Sequence, residues 1–146
     1  MEQQQNWRGN FQTFRQVVPQ MEELPFQARE AINVLRGNIQ LSGFELRTIA
    51  VTSAMPNEGK SSMAFRLAKS MAGLGTRTIY LDCDIRNSEI MTRYQIQQSV
   101  CGLSEFLCGR VSLNDIIYHT DDPCMDMIFT GAVAPNPSEL LSGPLF

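Results

Sequence analysis

The sequence has no apolar run that approaches the roughly 18 residues needed to cross a membrane as a helix. Its first residues, Met1 to Trp7, also lack the basic and then apolar order of a secretory signal. These two absences predict a cytoplasmic chain. Dense clusters of basic residues are missing as well, and the net charge is -3, which argues against nucleic acid as the main partner.

Histidine and closely spaced cysteines are scarce. His119 is the only histidine, so one chain cannot build a histidine-based metal site or a Ser-His catalytic triad, and we expect it to be a surface or capping residue. The four cysteines form neither Cys-x-x-Cys pairs nor a zinc-type array. Buried free thiols are therefore predicted at Cys83, Cys101, Cys108 and Cys124.

What is present describes one globular domain behind a polar arm. The 146 residues are 43% hydrophobic and 18% charged, which is enough to bury a core without disulfides. Residues 1–25 are rich in glutamine and predict a connecting arm, whereas residues 26–146 predict a nucleotide-binding domain. Within the arm, a helical spacing of apolar residues predicts a short amphipathic helix docked on the domain, with membrane or partner binding as alternatives. These residues are Trp7, Phe11, Phe14 and Val18.

The stretch Ser53–Ser62 carries the strongest chemical signal. Gly59, Lys60 and Ser61 match the last three positions of the phosphate-binding loop G-x-x-x-x-G-K-[ST], although Ala54 replaces its first glycine. Backbone N–H groups at a helix N-terminus favour phosphate, Lys60 would reach the β and γ phosphates, and Ser61 would offer its hydroxyl to Mg²⁺. An accidental Gly-Lys-Ser in a strand-turn-helix is the alternative. The predicted nucleotide-binding residues are Pro56, Asn57, Glu58, Gly59, Lys60, Ser61 and Ser62.

The elements around this loop predict an α/β fold, a parallel sheet flanked by helices like that of P-loop NTPases. Leu46–Thr52 is typical of a buried strand, and apolar residues at helical spacing follow the loop. Thr78–Asp82 predicts a second strand, joined to the first by a right-handed parallel crossover.

The other predicted elements are short. A helix over residues 25–41 would turn Phe26, Ile32, Leu35 and Ile39 inward, and residues 86–99 would form a loop or short helix. Two short helices, a third strand and a helix start complete the prediction, at Leu103–Leu107, Leu113–Tyr118, Met125–Thr130 and Asn136–Glu139.

Two aspartates, Asp82 and Asp84, end the second predicted strand. Ligands of open parallel sheets bind at the carboxyl ends of strands, so both carboxylates should face the same crevice as the phosphate-binding loop. Phosphoryl transfer uses one such group as a base and another to hold Mg²⁺ or its water. We therefore predict Lys60, Asp82 and Asp84 as catalytic residues, and Ser61 and Asp84 as metal ligands. A pair of loop aspartates that caps the next element is the alternative.

Together these motifs resemble the bacterial tyrosine kinases of capsular and exopolysaccharide biosynthesis, P-loop kinases unrelated in fold to the eukaryotic protein kinases. The resemblance covers about residues 28–146. It implies ATP and Mg²⁺ as cofactors, bound by Lys60 and Ser61, with Asp82 and Asp84 as base and metal partner. The matching segments, in chain order, are Glu30–Ile39, Thr52–Ser62, Leu81–Arg86, Gly102–Leu107 and Pro135–Leu141.

The resemblance also implies partners. The family's Glu-x-x-Arg-x-x-Arg helix serves ring-like self-association, and here Glu30 and Arg36 match while Asn33 departs from the pattern. Relatives work with a membrane-spanning activator of polysaccharide export, fused or separate, which implies a location at the inner face of the cell membrane. Protein tyrosines are the implied substrates.

A second departure concerns the C-terminal side of the domain. The family has a further strand with a Walker B aspartate and then a tyrosine-rich tail, and neither is found after Thr130. We therefore expect a sheet that is incomplete at its C-terminal side, a domain truncated before Walker B. If residues 1–146 were fully active, Asp121 or Asp122 would be expected to supply the missing Walker B carboxylate.

Three functions compete. The first is an ATP-dependent protein-tyrosine kinase or autokinase that regulates capsular or exopolysaccharide synthesis and export. The second is a partitioning-type ATPase switch, disfavoured because Met55 stands where those proteins place an extra lysine. The third is a non-catalytic nucleotide-binding module, favoured by the missing Walker B strand.

Overall fold

The computed structural model describes residues 15–43 and 45–146, which form helices and short strands. The α/β class predicted from the sequence is confirmed, with a small sheet flanked by helices. The α-helices are α1 (Phe26–Leu41), α2 (Lys60–Ala72), α3 (Ile90–Arg93), α4 (Leu103–Leu107) and α5 (Pro137–Leu141), and the strands are β1 (Thr78–Leu81), β2 (Tyr118–His119) and β3 (Met125–Ile128).

The sheet has the order β1-β3-β2 and is mixed rather than wholly parallel. β1 and β3 are parallel, with Thr78 opposite Met125 and Leu81 opposite Ile128. β2 is antiparallel to β3 because a tight turn joins them, in which Met125 N–H donates to Asp122 O at 3.0 Å. Parallel neighbours need a long crossover, and the few residues between β2 and β3 cannot provide one.

The predicted strand Leu46–Thr52 is wrong. This segment forms neither helix nor strand, and its apolar side chains are exposed, by 51% at Leu46, 42% at Ile49 and 37% at Val51. A strand needs a neighbour to accept its backbone hydrogen bonds, and within the described part of the chain none pairs with this segment. The expected crossover from this segment to β1 is therefore not formed, and the parallel pair is β1 with β3.

The predicted helix Leu113–Tyr118 is also wrong in most of its length. A 3-10 turn spans Leu113–Asp115, and the chain then extends into β2. Asp115 Oδ2 accepts from both the backbone N–H and the hydroxyl of Ser112, at 2.9 and 2.7 Å. That cap stabilises a single turn, and Ile116 and Tyr118 are then buried in the core, at 0% and 2% exposure.

The main core lies between α2 and the sheet. Phe65 of α2 stacks on Tyr94 at 4.3 Å and meets the edge of Tyr80 at 5.3 Å between ring centroids. Such aromatic pairs add about 0.5–1.5 kcal/mol each beyond their burial. Because Phe65 lies one turn into α2, this packing fixes the start of α2 against the strand that ends in the two aspartates.

Helix α1 packs on α2 through fewer apolar contacts than its sequence predicted. Only Ile32 of its predicted inner stripe is buried, whereas Phe26 is 65% exposed and Leu35 36% exposed. Arg36 anchors the helix instead, since its Nη1 donates to the carbonyl and hydroxyl oxygens of Ser70 at 3.1 and 2.6 Å. No described helix is both long enough and apolar enough to cross a membrane.

The described part of the arm docks on the sheet. Val17 N–H donates to His119 O and His119 N–H donates to Arg15 O, both at 2.9 Å, so the arm bridges the outer edge of β2. Val17 is buried at 3% exposure, whereas Val18 is 58% exposed and not helical. The predicted amphipathic helix is therefore wrong at Val18, and its other members, Trp7, Phe11 and Phe14, lie outside the described residues.

His119 and the cysteines differ from their predicted surroundings. His119 is half-buried, with Nδ1 2.6 Å from Asp126 Oδ1 on the neighbouring strand. All four cysteines are free, as predicted, but none is buried, and Cys83 and Cys108 are exposed.

Candidate active site

The phosphate-binding loop runs directly into α2 through two residues with left-handed backbone. Asn57 has φ 63° and Gly59, the N-cap of α2, has φ 88°. A Cβ at Gly59 would meet no atom within 4 Å, so glycine is favoured there by the dihedral angle alone. The helix begins at Lys60, and the first N–H groups of α2 are therefore free of intrahelical partners, as an anion site requires.

The loop holds its own shape through short-range hydrogen bonds. Ser53 Oγ donates to Met55 O at 3.0 Å, and Met55 N–H donates to Glu58 Oε2 at 3.2 Å. Pro56, Asn57, Glu58 and Gly59 are exposed, and Ser61 and Ser62 are half-buried. The predicted nucleotide-binding residues thus form one accessible loop at the start of α2.

Lys60 and Asp84 meet across the site. Lys60 Nζ lies 3.1 Å from Asp84 Oδ2, and the two side chains are 35% and 31% exposed. This contact joins the phosphate-binding loop to the carboxyl end of β1, where the sequence placed both aspartates. A partly exposed pair of this kind contributes little to stability and can exchange partners when a ligand arrives.

Asp82 is buried at 4% exposure and both of its oxygens accept hydrogen bonds. Asp84 N–H donates to Oδ1 at 3.0 Å, and the Ser88 hydroxyl donates to Oδ2. The Asp82 backbone N–H donates to Ile128 O at 3.0 Å, which ties its main chain to β3. The carboxylate is therefore held in one orientation at the end of β1.

The phenol of Tyr80 is buried near Asp82 and Ser61. Burial, and then the charge of Asp82, raises the pKa of Tyr80 above its usual range, so this phenol stays neutral. Cys83 is exposed as a residue, but partial desolvation of its sulfur and then the charge of Asp82 raise the pKa of the thiol, which keeps it protonated beside the site.

The donor set fits Mg²⁺. The Ser61 hydroxyl and the Asp84 carboxylate are hard oxygen ligands, and Mg²⁺ is commonly bound by one or two such groups together with substrate phosphates and water. Across residues 15–43 and 45–146 no group of three or more His, Cys, Asp or Glu side chains could hold a metal by itself. A metal here would therefore depend on the nucleotide for its remaining ligands.

Asp121 and Asp122, the alternative sources of the missing carboxylate, lie at the opposite end of the parallel strands from Asp82. Asp121 and Asp122 lie in the turn before β3, at the N-terminal end of that strand. Asp82 follows the C-terminal end of β1, and β1 is parallel to β3. Parallel strands have their C-terminal ends on the same side of the sheet. Asp121 and Asp122 therefore lie at the opposite ends of the strands from Asp82 and cannot reach it.

Two residues that contact the predicted site residues were missed from the sequence. Tyr80 reads as an ordinary strand residue, although a single tyrosine two positions before the aspartate hints at a polar contact. Ser88 lies in a polar stretch, residues 86–99, with no motif of its own. Its contact with Asp82 depends on how the loop folds back from β1.

A loop that runs through Gly59 into α2 and faces two aspartates at the end of the parallel strand β1 is the arrangement typical of α/β proteins of the P-loop class. No family model matches the sequence. The tyrosine-protein kinase CpsD of Streptococcus agalactiae is 38% identical over 120 residues, which are 82% of this chain and 52% of that protein. The tyrosine-protein kinase YwqD of Bacillus subtilis is 30% identical over 115 residues, 77% of this chain and 48% of that protein.

Solved structures agree with these relatives. The BceF tyrosine kinase domain superimposes with a TM-score of 0.73 at 32% identity, over 81% of this chain and 47% of that one. Over the matched part of its length the chain is similar to bacterial tyrosine kinases in both sequence and structure. It spans about half the length of the curated relatives it matches.

Proposed function

We propose that the chain is the nucleotide-binding part of an ATP-dependent protein-tyrosine kinase that regulates capsular or exopolysaccharide synthesis and export. The observation that carries this proposal is the meeting of Lys60 with Asp84 beside the buried Asp82. Phosphoryl transfer needs a loop that binds phosphate, a cation that can move and carboxylates beside them. The loop before α2, Lys60 and the two aspartates at the end of β1 are such groups. The similar proteins CpsD and YwqD are tyrosine-protein kinases by name, which supports the same reaction.

Each residue takes a role that its surroundings support. The loop Pro56–Ser62 would bind the phosphates of ATP, and Lys60 would leave Asp84 to neutralise charge on the β and γ phosphates. Asp82 would accept the proton of the tyrosine hydroxyl. The tyrosine oxygen then bonds to the γ-phosphorus, the bond from that phosphorus to the β–γ bridging oxygen breaks, and ADP leaves.

Ser61 and Asp84 are the residues that would hold Mg²⁺. When bound, Mg²⁺ supplies positive charge that offsets the charge developing on the phosphates. Once Lys60 turns to the nucleotide, Asp84 Oδ2 loses its ion-pair partner, and this oxygen becomes available to the metal or to a metal-bound water. One carboxylate would thus serve in turn as partner of Lys60 and as metal ligand.

The acceptor tyrosine should lie outside these 146 residues. The chain has three tyrosines, and Tyr80, Tyr94 and Tyr118 are buried at 6%, 3% and 2% exposure. A phosphoacceptor must present its hydroxyl to Asp82 and the γ-phosphate, which these side chains cannot do without unfolding the core. The substrate is therefore another protein, another copy with further tyrosines, or a tail joined to this domain.

The proposed partners follow the family. A membrane-spanning activator of polysaccharide export, fused or separate, would bring the domain to the inner face of the membrane. Self-association through Glu30 and Arg36 stays a prediction. Arg36 is engaged with Ser70 inside the chain, and Glu30 accepts from Asn33 Nδ2 at 3.0 Å, so self-association would have to work with or exchange these contacts.

The proposal is tested by phosphotransfer from ATP to a tyrosine-containing peptide in the presence of Mg²⁺, with the chain in its complete reading frame. Lys60→Met should lower ATP affinity about 10-fold to 100-fold and abolish transfer, because a charged hydrogen bond to phosphate contributes about 1.5–3 kcal/mol. Lys69→Met is the matched control, since Lys69 is in the last turn of the same helix. Unchanged ATP affinity in a folded Lys60→Met protein would dismiss the phosphate-binding assignment.

The same assay separates the other two functions. ATP hydrolysis that depends on dimerisation, without transfer to tyrosine, would identify a partitioning-type switch. Nucleotide binding with neither hydrolysis nor transfer would identify a non-catalytic module. Mapping of phosphorylated sites should find none of the three buried tyrosines modified in the folded protein.

A further inference from the structure

Ser88 lies between the candidate catalytic base and the first turn of α3. Its hydroxyl is hydrogen-bonded to Asp82 Oδ2, and Ile90 N–H donates to Ser88 Oγ at 3.3 Å. Six residues separate Ser88 from Asp82 in the chain, so the contact exists only because the loop after β1 folds back on itself. None of the motifs found in the sequence includes Ser88.

The direction of these hydrogen bonds follows from counting hydrogens. An ionised carboxylate can only accept, and a backbone N–H can only donate. The single hydrogen of the Ser88 hydroxyl must therefore point at Asp82, while its lone pair accepts from Ile90. Ser88 thus supplies one of the two donors that Asp82 has in the structure, the other being the N–H of Asp84.

The hydroxyl is held in place by the core. Ile85 and Ile90 flank the loop and are buried at 3% and 1% exposure. Asn87 N–H donates to Asp84 Oδ1 at 3.2 Å and closes the turn formed by residues 84–87. With both ends of the loop fixed in this way, Ser88 has little freedom to move away from Asp82.

Asp82 needs this donor because it is buried. A buried carboxylate oxygen without a donor is unfavourable, and a side chain avoids that cost by rotating towards another donor or towards water. Lys60 pairs with Asp84 and not with Asp82. Without Ser88, one oxygen of Asp82 would lose its partner, and the carboxylate would turn away from its present orientation.

We propose that Ser88 is a positioning residue that holds the Asp82 carboxylate in the orientation needed to accept the proton of the substrate tyrosine. The inference rests on the proposed function of Asp82 as the base. With Oδ1 directed at Asp84 N–H and Oδ2 at Ser88, one lone-pair direction is left on each oxygen, and the tyrosine hydroxyl uses one of them. Ser88 itself exchanges no proton with the substrate.

The test compares Ser88→Ala with Ser88→Thr, which keeps the hydroxyl, and with Ser112→Ala. Ser112 is a matched control because it also donates to an aspartate beside a short helical turn, Asp115, remote from the site. Ser88→Ala should lower kcat for phosphotransfer about 10-fold to 100-fold, the usual effect of losing a group that orients a reactive one. The KM for ATP should stay within about 2-fold, because Ser88 does not contact the phosphate-binding loop. Ser88→Thr should restore most of the activity, and Ser112→Ala should leave kcat unchanged.

A second measurement needs no turnover. The side-chain carboxyl carbon of Asp82 can be followed by carbon-13 NMR and assigned by its loss in Asp82→Asn. Its signal should move in Ser88→Ala and stay in place in Ser88→Thr and Ser112→Ala. An unmoved signal, or a loss of kcat in Ser112→Ala equal to that in Ser88→Ala, overturns the proposal. Absence of kinase activity in the parent protein would instead overturn the proposed function, and the NMR result would still decide whether Ser88 holds Asp82.

Discussion

At the scale of single residues, the two aspartates have different environments although only one residue separates them. Asp82 is buried and fixed by two donors, whereas Asp84 is partly exposed and paired with Lys60, the proposed phosphate-binding residue. A buried, fixed carboxylate suits a base that must meet one hydroxyl. An exposed carboxylate that can exchange its partner suits a metal.

This difference predicts separate effects of the two substitutions. Asp82→Asn should lower phosphotransfer by about 10²-fold to 10⁴-fold, the range expected for loss of a general base, with an unchanged Mg²⁺ optimum. Asp84→Asn should raise the Mg²⁺ concentration for half-maximal activity at least about 10-fold, since it removes one of few metal ligands. Titration of Mg²⁺ at saturating ATP measures both.

The Asp84 variant carries an internal check. Because Asp84→Asn frees Lys60, ATP binding in the absence of Mg²⁺ should be as tight as in the parent, or tighter, by calorimetry. Identical Mg²⁺ titrations for the two variants would contradict the division of roles.

At the scale of elements, α4 is attached to the end of β3 through its first turn. Leu103 N–H and Ser104 N–H donate to Phe129 O and Thr130 O at 2.8 and 2.9 Å, so the strand end satisfies N–H groups that a helix start leaves free. Glu105 completes the junction, since its carboxylate accepts from Gly102 N–H at 2.8 Å and Ala132 N–H at 3.0 Å. The junction requires very close backbone contact at Gly102.

Two glycine substitutions should therefore have opposite signs. A Cβ at Gly102 would meet Gly131 N at 2.2 Å and Phe129 O at 2.4 Å, both backbone atoms, so Gly102→Ala should destabilise the protein by about 3 kcal/mol. A Cβ at Gly37, inside α1, would meet nothing within 4 Å. Gly37→Ala should therefore stabilise the protein by about 0.5–1 kcal/mol through helix propensity and a more restricted unfolded chain.

Urea unfolding of the two variants and the parent measures these changes. Destabilisation by Gly37→Ala would mean that α1 needs flexibility or a partner contact at that position. A neutral Gly102→Ala would mean that the junction between α4 and β3 is looser than the structure shows.

At the scale of the whole molecule, the edge strand β1 and the segment 46–52 both leave apolar side chains exposed. β1 is an edge strand of the three-stranded sheet, and its Ile79 and Leu81 are 49% and 39% exposed. The unpaired segment 46–52 exposes Leu46, Ile49 and Val51. Parallel strands are normally paired and covered on both faces, so an open edge of this kind is prone to association.

We therefore predict that purified residues 1–146 bind nucleotide weakly, transfer little phosphate and tend to aggregate. Ile49→Glu should reduce aggregation in sedimentation velocity, because a charge on the exposed segment opposes apolar association. Leu113→Glu, at a residue 49% exposed on the 3-10 turn, is the matched control and should have a smaller effect.

A monomeric chain that unfolds cooperatively and matches the phosphotransfer rate of a longer chain would contradict this prediction. Asp121 and Asp122 could not explain such activity, since they lie at the opposite end of the parallel strands from Asp82. A carboxylate from elsewhere in the chain, or from a second copy, would then have to be sought.

The sequence by itself determined the features whose cause is local. Gly59 followed by Lys60 and Ser61 fixes a left-handed turn and a helix start within a few residues, and α2, β1, β3 and the Asn136-Pro137 start of α5 were all found from short-range pattern. The P-loop class and the two strand-end aspartates follow from the same local information. The resemblance to the bacterial tyrosine kinases rests on the same local motifs.

Only the tertiary structure decided what depends on a distant partner. Leu46–Thr52 has the composition of a buried strand, yet it is neither paired nor buried, because a strand is formed by its neighbour as much as by its own residues. The end of the predicted helix Leu113–Tyr118 belongs to strand β2 instead. The core buries Ile116 and Tyr118, and β2 pairs antiparallel with the free edge of β3. The contact of Ser88 with Asp82 is of the same kind, since a hydroxyl finds a carboxylate six residues away only after Ile85 and Ile90 have been buried on either side of it.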